Sequence, residues 1–274
     1  MRKTETARKA PVISGLKEHT HAERAKLLKE VVAPTLRREL GRNLIAIAAD
    51  GSFARHEDTA YSDLELMVFV RNKRGLPIGF SKIHDGLLIE GLFVTEKEFH
   101  DMVHEPNESW YIAGSDRLLA ITNPDFVKRV RHYRVKERKR KFDAAVRGAL
   151  FEVQESFGKL FNAIRQRNRE NLSILFSETV IAVLKFASYV NERPYTSSRM
   201  FISEARSFRK KPRGFDTFLD LAVDARYLEW NRLHRTATML FKGIETYLRR
   251  RWRGKLYDDD LSMILQKIKK TKRR

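Results

Sequence analysis

The chain of 274 residues contains no cysteine, which excludes disulfide bonds and thiolate-bound metals and fits a reducing compartment. Long hydrophobic runs are also missing, since no apolar stretch approaches the roughly 18 residues that span a bilayer. The charged N-terminal sequence MRKTETARKA has no apolar region behind it. We therefore expect a cytoplasmic protein without a secretory signal and without a membrane partner.

Negative charge is scarce relative to positive charge. Lys and Arg number 55 against 35 Asp and Glu, so the formal net charge is +20. Such a charge attracts polyanions such as nucleotides and nucleic acids. A charge-rich surface adapted to heat is the alternative, which the rarity of glutamine also fits. The basic residues concentrate in four runs, which are 128–141, 206–213, 249–255 and 267–274.

The pattern of hydrophobic residues changes about halfway along the chain. The first part alternates helix and strand signals, with helices predicted at 17–40 and 95–104 and strands at 43–50, 63–70 and 86–94. Thr95 and Glu98 predict a capping box at the start of the second helix. The second part has helical periodicity and almost no strand signal, with helices predicted at 142–168, 172–190 and 258–270 and one or two more within 215–253. We predict an α+β protein in which a small mixed-sheet domain, residues 1–130, precedes an α-helical bundle domain, residues 131–274.

Acidic residues occur on strands of the first part, where packing alone does not explain them. In the stretch GSFARHEDTAYSDLELMVFV, residues 51–70, strand alternation places Asp63 and Glu65 on one face. Glu90 can lie beside them if its strand pairs with theirs. Close carboxylates repel one another unless a cation neutralises them, and all-oxygen ligands suit Mg²⁺ or Mn²⁺. The alternative is the polar face of an exposed edge strand.

A glycine turn precedes these acids. Gly51 and Ser52 are followed by a short predicted helix with Ser52 as its N-cap, which would offer backbone N–H groups and a hydroxyl to phosphate. Arg55 lies one turn further and can neutralise charge on the same phosphate. The stretch therefore combines a predicted phosphate site with predicted metal ligands.

The motif G-S-x-x-R…S-D-x-E in this stretch resembles the signature of the DNA polymerase β-like nucleotidyltransferase superfamily, and within it the kanamycin nucleotidyltransferases. EGLFVTEKEF, residues 90–99, resembles the family segment that carries the third metal-site carboxylate. ESFGK, residues 155–159, resembles the segment with the general base, and YTSS, residues 195–198, resembles a phosphate-contacting loop. The resemblance covers about residues 25–250 and is strong at the first motif.

The resemblance implies a role for each matching residue. Asp63, Glu65 and Glu90 would bind the metals, and Ser52, Arg55 and Ser197, with Thr196 as a rival, would hold the triphosphate. Glu155 would be the general base, Lys159 would contact phosphate, and a homodimer would share its active sites. From the residues alone, an ion pair on an exposed helix face is the favoured interpretation of Glu155 and Lys159, and the resemblance shifts it toward the catalytic one.

The expected reaction transfers a nucleoside monophosphate, AMP from ATP, to an acceptor hydroxyl and releases pyrophosphate. The acceptor would be aminoglycoside-like or RNA. Two departures concern the acceptor side: Phe151 precedes Glu152, and ESWYI, residues 108–112, has no aspartate where the family has one. The alternatives are a nucleotidyltransferase directed at RNA or protein, and a non-catalytic nucleic-acid-binding protein on the same scaffold.

Overall fold

The computed structural model describes residues 15–106, 110–112, 117–252 and 256–257. The chain divides into two compact units, one comprising Met1–Ala145 and Glu192–Phe201, the other Val146–Asn191 and Ile202–Arg274. The short segment Glu192–Phe201 thus returns to the first unit. The helix predicted at 258–270 lies outside the described residues.

A five-stranded mixed sheet forms the centre of the first unit. The strands are β1 (Leu44–Ala49), β2 (Leu64–Val70), β3 (Gly79–His84), β4 (Leu87–Val94) and β5 (Leu119–Ala120), in the order β3-β4-β2-β1-β5. β2 and β4 are parallel, and the other pairs are antiparallel. The predicted α+β class is confirmed. Strands β3 and β5 were not predicted, because β3 is an exposed edge strand and β5 has only two residues.

Both faces of the sheet are covered by helices. On one face Leu64, Leu66 and Val68 of β2 are buried together with Leu28 and Ala33 from the N-terminal helical segment. That segment contains α1 (His21–Leu27), a π-helical turn (Leu28–Val32) and α2 (Ala33–Leu40), where a single helix over 17–40 was predicted. On the other face lie α4 (Glu96–His104) and α5 (Pro124–Val130).

Helix α4 begins where the sequence predicts it. The Thr95 side chain accepts a hydrogen bond from the backbone N–H of Glu98, and the Glu98 carboxylate accepts one from the backbone N–H of Thr95. This reciprocal capping box satisfies two of the helix-end donors, so the predicted start is confirmed.

All regular secondary structure in the described residues of the second unit is helical. Its helices are α6 (Arg138–Gln166, which begins in the first unit), α7 (Leu172–Asn191), α8 (Phe201–Arg206), α9 (Phe215–Val223) and α10 (Trp230–Arg251). By length and composition alone α7 could cross a membrane, contrary to the expectation that no apolar stretch reaches that length. However, 67% of its most apolar window is buried within the protein, as in the central helix of a bundle.

Candidate functional site

The turn after β1 is built around Asp50. Its backbone N–H donates to the Glu65 carbonyl at 2.9 Å, and its Oδ1 accepts from the Gly51 N–H at 2.7 Å. Asp50 is therefore the N-cap of the single helical turn α3 (Gly51–Ala54). The prediction of Ser52 as N-cap was wrong, because the carboxylate of Asp50 reaches the first free N–H group and places Ser52 inside the turn.

Glycine is required at position 51 for two reasons. Its φ of +64° lies in the left-handed region, where side chains with a Cβ are disfavoured. In addition, a Cβ at this position would lie 1.6 Å from Oε2 of Glu65. The backbone of the turn and the carboxylate of Glu65 are therefore in direct contact, which links the predicted phosphate site to the predicted metal ligands.

A cavity of about 510 Å³ in the first unit brings most of the predicted site residues together. One part of its lining comes from the turn and the start of β2, and another part comes from the returning segment 196–199. The predicted residues that line it are Gly51, Ser52, Arg55, Asp63, Glu65, Thr196 and Ser197. Ser52 and Ser197 lie 145 positions apart in the chain, so the fold brings the turn and the segment 196–199 together.

Glu90 lies next to this cavity and not in its lining. Its backbone is in register with Glu65 across the parallel strands β2 and β4, as predicted for paired strands. Its Oε1 accepts a hydrogen bond of 2.8 Å from the hydroxyl of Ser81. Together with Asp50 and Glu65 it lines a neighbouring cavity of about 400 Å³. Within the described part of the chain, no three His, Asp or Glu residues are arranged to hold a metal ion.

The pKa values of Asp63 and Glu65 at these cavities are raised. Partial burial of the carboxylate, together with repulsion from Asp63, Asp50 and Glu90, raises the pKa of Glu65 to about 7. Burial and the charge of Glu90 also raise the pKa of Asp63. A divalent cation would relieve this repulsion, and carboxylate oxygens are ligands that Mg²⁺ and Mn²⁺ prefer. The donor chemistry therefore fits such an ion, although the three side chains do not form one cluster here.

A buried arginine that sequence reasoning missed holds the loop before Asp63. The Arg24 side chain, only 1% exposed, donates to the carboxylate of Asp58 at 3.0 Å. It also donates to four backbone carbonyls, those of His19, Thr59, Ala60 and Ser62. Its only sequence signal is its place four residues before Leu28 on the apolar side of the helix. The network fixes the backbone up to the residue before Asp63.

Arg199 is a second residue that was missed, although it directly follows the quoted segment YTSS. Its guanidinium donates to the Glu57 carbonyl at 3.1 Å and to the Thr59 hydroxyl at 3.4 Å. Its positive charge also lowers the pKa of Asp63, but burial of the Asp63 carboxylate has a larger effect and raises the pKa. Arg199 therefore joins the returning segment to the loop that leads into β2.

Arg55 donates through Nε to Glu57 at 2.8 Å, which holds its guanidinium at the cavity.

Glu155 and Lys159 lie in the second unit, on α6. Both are exposed, and their side chains form an ion pair with an N–O distance of 2.9 Å. The hydrogen bond from Lys159 lowers the pKa of Glu155, and Glu155 raises the pKa of Lys159. The i,i+4 pair considered from the residues alone is therefore present. The roles of general base and phosphate contact stay predictions.

Comparisons with known proteins give a domain match and a structural match. The family model of the KNTase C-terminal domain matches residues 124–252. Among solved structures, the chain is similar to a nucleotidyltransferase-like protein from Exiguobacterium sibiricum, with 12% identity and a TM-score of 0.50. That similarity covers 85% of this chain and 83% of the other, and at this identity it concerns the fold. No curated protein matches the sequence.

Proposed function

We propose that this chain, whose residues 124–252 match the model of the KNTase C-terminal domain, transfers a nucleoside monophosphate to an acceptor hydroxyl. The observation that carries the proposal is the cavity in which the Gly51–Ser52 turn and Arg55 lie with Asp63 and Glu65. Phosphate-binding groups and carboxylates in one cavity are what a nucleoside triphosphate with a divalent cation requires.

The triphosphate would be held by the turn and by the returning segment. Ser52 offers a hydroxyl, Arg55 offers a guanidinium, and Thr196 and Ser197 line the same cavity. Hydrogen bonds from these groups would orient the α-phosphate and neutralise its charge. Positioning and charge neutralisation supply most of the rate enhancement in phosphoryl transfer.

The carboxylates Asp63, Glu65 and Glu90 would hold Mg²⁺ or Mn²⁺. When bound, the ion would neutralise charge on the triphosphate and on the departing pyrophosphate. Asp63 and Glu65 already line the cavity, while Glu90 accepts a hydrogen bond from Ser81 that it would exchange for a metal bond.

In the proposed reaction the acceptor oxygen attacks the α-phosphorus of the donor, with ATP as the expected donor. The new bond joins that oxygen to the α-phosphorus, and the bond to the bridging oxygen of the β-phosphate breaks, so pyrophosphate leaves.

The acceptor proton passes to Glu155, proposed as the general base. Because Lys159 lowers its pKa, Glu155 becomes a better base when Lys159 moves to a phosphate. The proposed active form is a cytoplasmic homodimer.

A labelled-nucleotide assay tests this proposal. The protein is incubated with Mg²⁺, one of the four nucleoside triphosphates labelled at the α-phosphate, and either kanamycin or total RNA. The α-label is expected in the acceptor, and a label at the γ-phosphate is expected in pyrophosphate. Transfer of the γ-label to the acceptor, or no transfer with any donor and acceptor, would contradict the proposal. The labelled acceptor decides between an aminoglycoside-like substrate and RNA.

A further inference from the structure

The second unit contains a groove of about 610 Å³ whose charged lining is entirely positive. It runs between residues 211–213 and one face of α10. Its cationic residues are Lys211, Arg213, Lys242 and Arg250. We call it the cationic groove. It unites two of the basic runs of the sequence, 206–213 and 249–255, with a lysine from neither run.

Close backbone packing builds the cationic groove. Gly243 lies in α10 beneath the loop, and a Cβ added there would meet the carbonyl oxygen of Arg213 at 2.2 Å. The loop can therefore lie directly on the helix only because residue 243 has no side chain. Lys242, Thr246 and Arg250 follow one another at intervals of four residues, which places them on the same side of α10. The cations are thus held on two fixed backbone segments.

The positive charge of the groove is largely uncompensated. Lys211 forms an ion pair with Asp216 at 2.7 Å. Arg213, Lys242 and Arg250 are exposed and have no ion-pair partner in the described ranges of the chain. By contrast, Lys185 in the same unit is paired with Glu152 at 2.9 Å. Repulsion among three unpaired cations is relieved when an anion occupies the groove.

We propose that the cationic groove binds the phosphodiester backbone of a nucleic-acid strand. Lys242 and Arg250 are eight residues apart, or about 12 Å along the helix axis, which suits two separate phosphates of one strand better than one small anion. Tyr247 lines the groove between them and presents a ring on which a base can stack. The net charge of +20 attracts a polyanion to the protein as a whole. Binding requires no nucleoside triphosphate and is therefore independent of the proposed transfer reaction.

The test measures binding of a fluorescent 20-nucleotide single strand, as RNA and as DNA, to the full chain over a range of salt concentrations. The groove variant carries Lys242→Gln and Arg250→Gln. A matched control carries Lys29→Gln and Arg37→Gln, two exposed cations of the first unit, so both variants lose the same charge. A third variant, Lys242→Arg with Arg250→Lys, keeps the charge of the groove.

Loss of two phosphate contacts should reduce both the affinity for the strand and the dependence of that affinity on salt. The slope of log Kobs against log[salt] should fall in magnitude by about 1.4, and binding at 0.1 M salt should weaken roughly 25-fold relative to wild type. The control and the charge-keeping variant should bind as wild type does. Circular dichroism checks that all variants remain folded, and labelled-nucleotide transfer to kanamycin serves as a separate readout of the first unit.

Three results would overturn the proposal. The first is that neither RNA nor DNA binds. The second is that the groove variant and the control lose the same affinity, which would mean that the overall charge of the protein, and not the groove, binds the strand. The third is displacement of the strand by pyrophosphate at the same total phosphate concentration, which would indicate a site for a small anion. None of these results bears on whether the protein transfers a nucleotide to kanamycin.

Discussion

The acid-lined cavity of the first unit and the cationic groove of the second concentrate charges of opposite sign by different means. In the cavity, partial burial adds to repulsion and raises the pKa of Glu65 to about 7. In the groove, exposed side chains keep their solvation, and salt screens their repulsion over about 8 Å. Partly buried acids therefore need a cation at a defined point, whereas exposed cations suit a long, flexible polyanion.

The backbone supports of the two regions also differ. The cavity depends on a buried network around Arg24 and on a glycine with positive φ. The groove depends on one close contact between Gly243 and the backbone of Arg213. Substitutions that disturb the cavity should therefore cost more stability than those that neutralise the groove, and the following predictions test this difference.

Arg24→Met should have the largest effect on stability. It removes five hydrogen bonds and leaves the carboxylate of Asp58, 1% exposed, without its arginine. Loss of one partner of a buried ion pair costs about 3–5 kcal/mol. Urea denaturation should show this loss, whereas Arg38→Met, at a side chain 72% exposed, should change stability by less than about 0.5 kcal/mol. Equal effects of the two variants would show that the Arg24 network does not support the fold.

Gly51→Ala should have the next largest effect. The new Cβ would clash with Glu65 and would require a φ of +64°, which costs roughly 1–2 kcal/mol for a residue other than glycine. Displacement of Glu65 should also lower nucleotide binding in a titration with ATP and Mg²⁺. Gly148→Ala is the control, since nothing lies within 4 Å of the added Cβ and alanine favours the helix by about 1 kcal/mol. A Gly51→Ala protein as stable as wild type would refute the close contact.

The pH dependence of stability should show the raised pKa of Glu65. Because its folded pKa is about 7 against an ordinary value of 4.5, the folded state binds more protons in this range. Stability should therefore fall as pH rises from about 4.5 to 7. Thermal denaturation in EDTA at pH 5 and pH 8 should show a smaller difference for Glu65→Gln than for wild type. Glu155→Gln should leave the difference unchanged, because the lowered pKa of Glu155 places its titration below pH 5.

Much of the fold and part of the site could be predicted from local sequence patterns. Alternation along β2 predicted the common face of Asp63 and Glu65, and the capping box predicted the start of α4. The N-cap of α3 was wrong, because Asp50 competes with Ser52 for the same N–H groups. Arg24 and Arg199 could not be found locally, since their partners lie 34 and 142 residues away along the chain. Such contacts arise only when the sheet brings distant loops together.

The central claim is that the acids of the cavity serve nucleotide transfer, and Asp63→Asn tests it most directly. Asparagine keeps the size of the side chain and removes its charge, so the fold should be retained. The assay contains α-labelled ATP, Mg²⁺ and the acceptor to which the wild-type protein transfers the label. Transfer of the label by Asp63→Asn should fall to the background level. Asp101→Asn, at an exposed acid of α4, should transfer as wild type does. Full transfer by Asp63→Asn in Mg²⁺ would contradict the account.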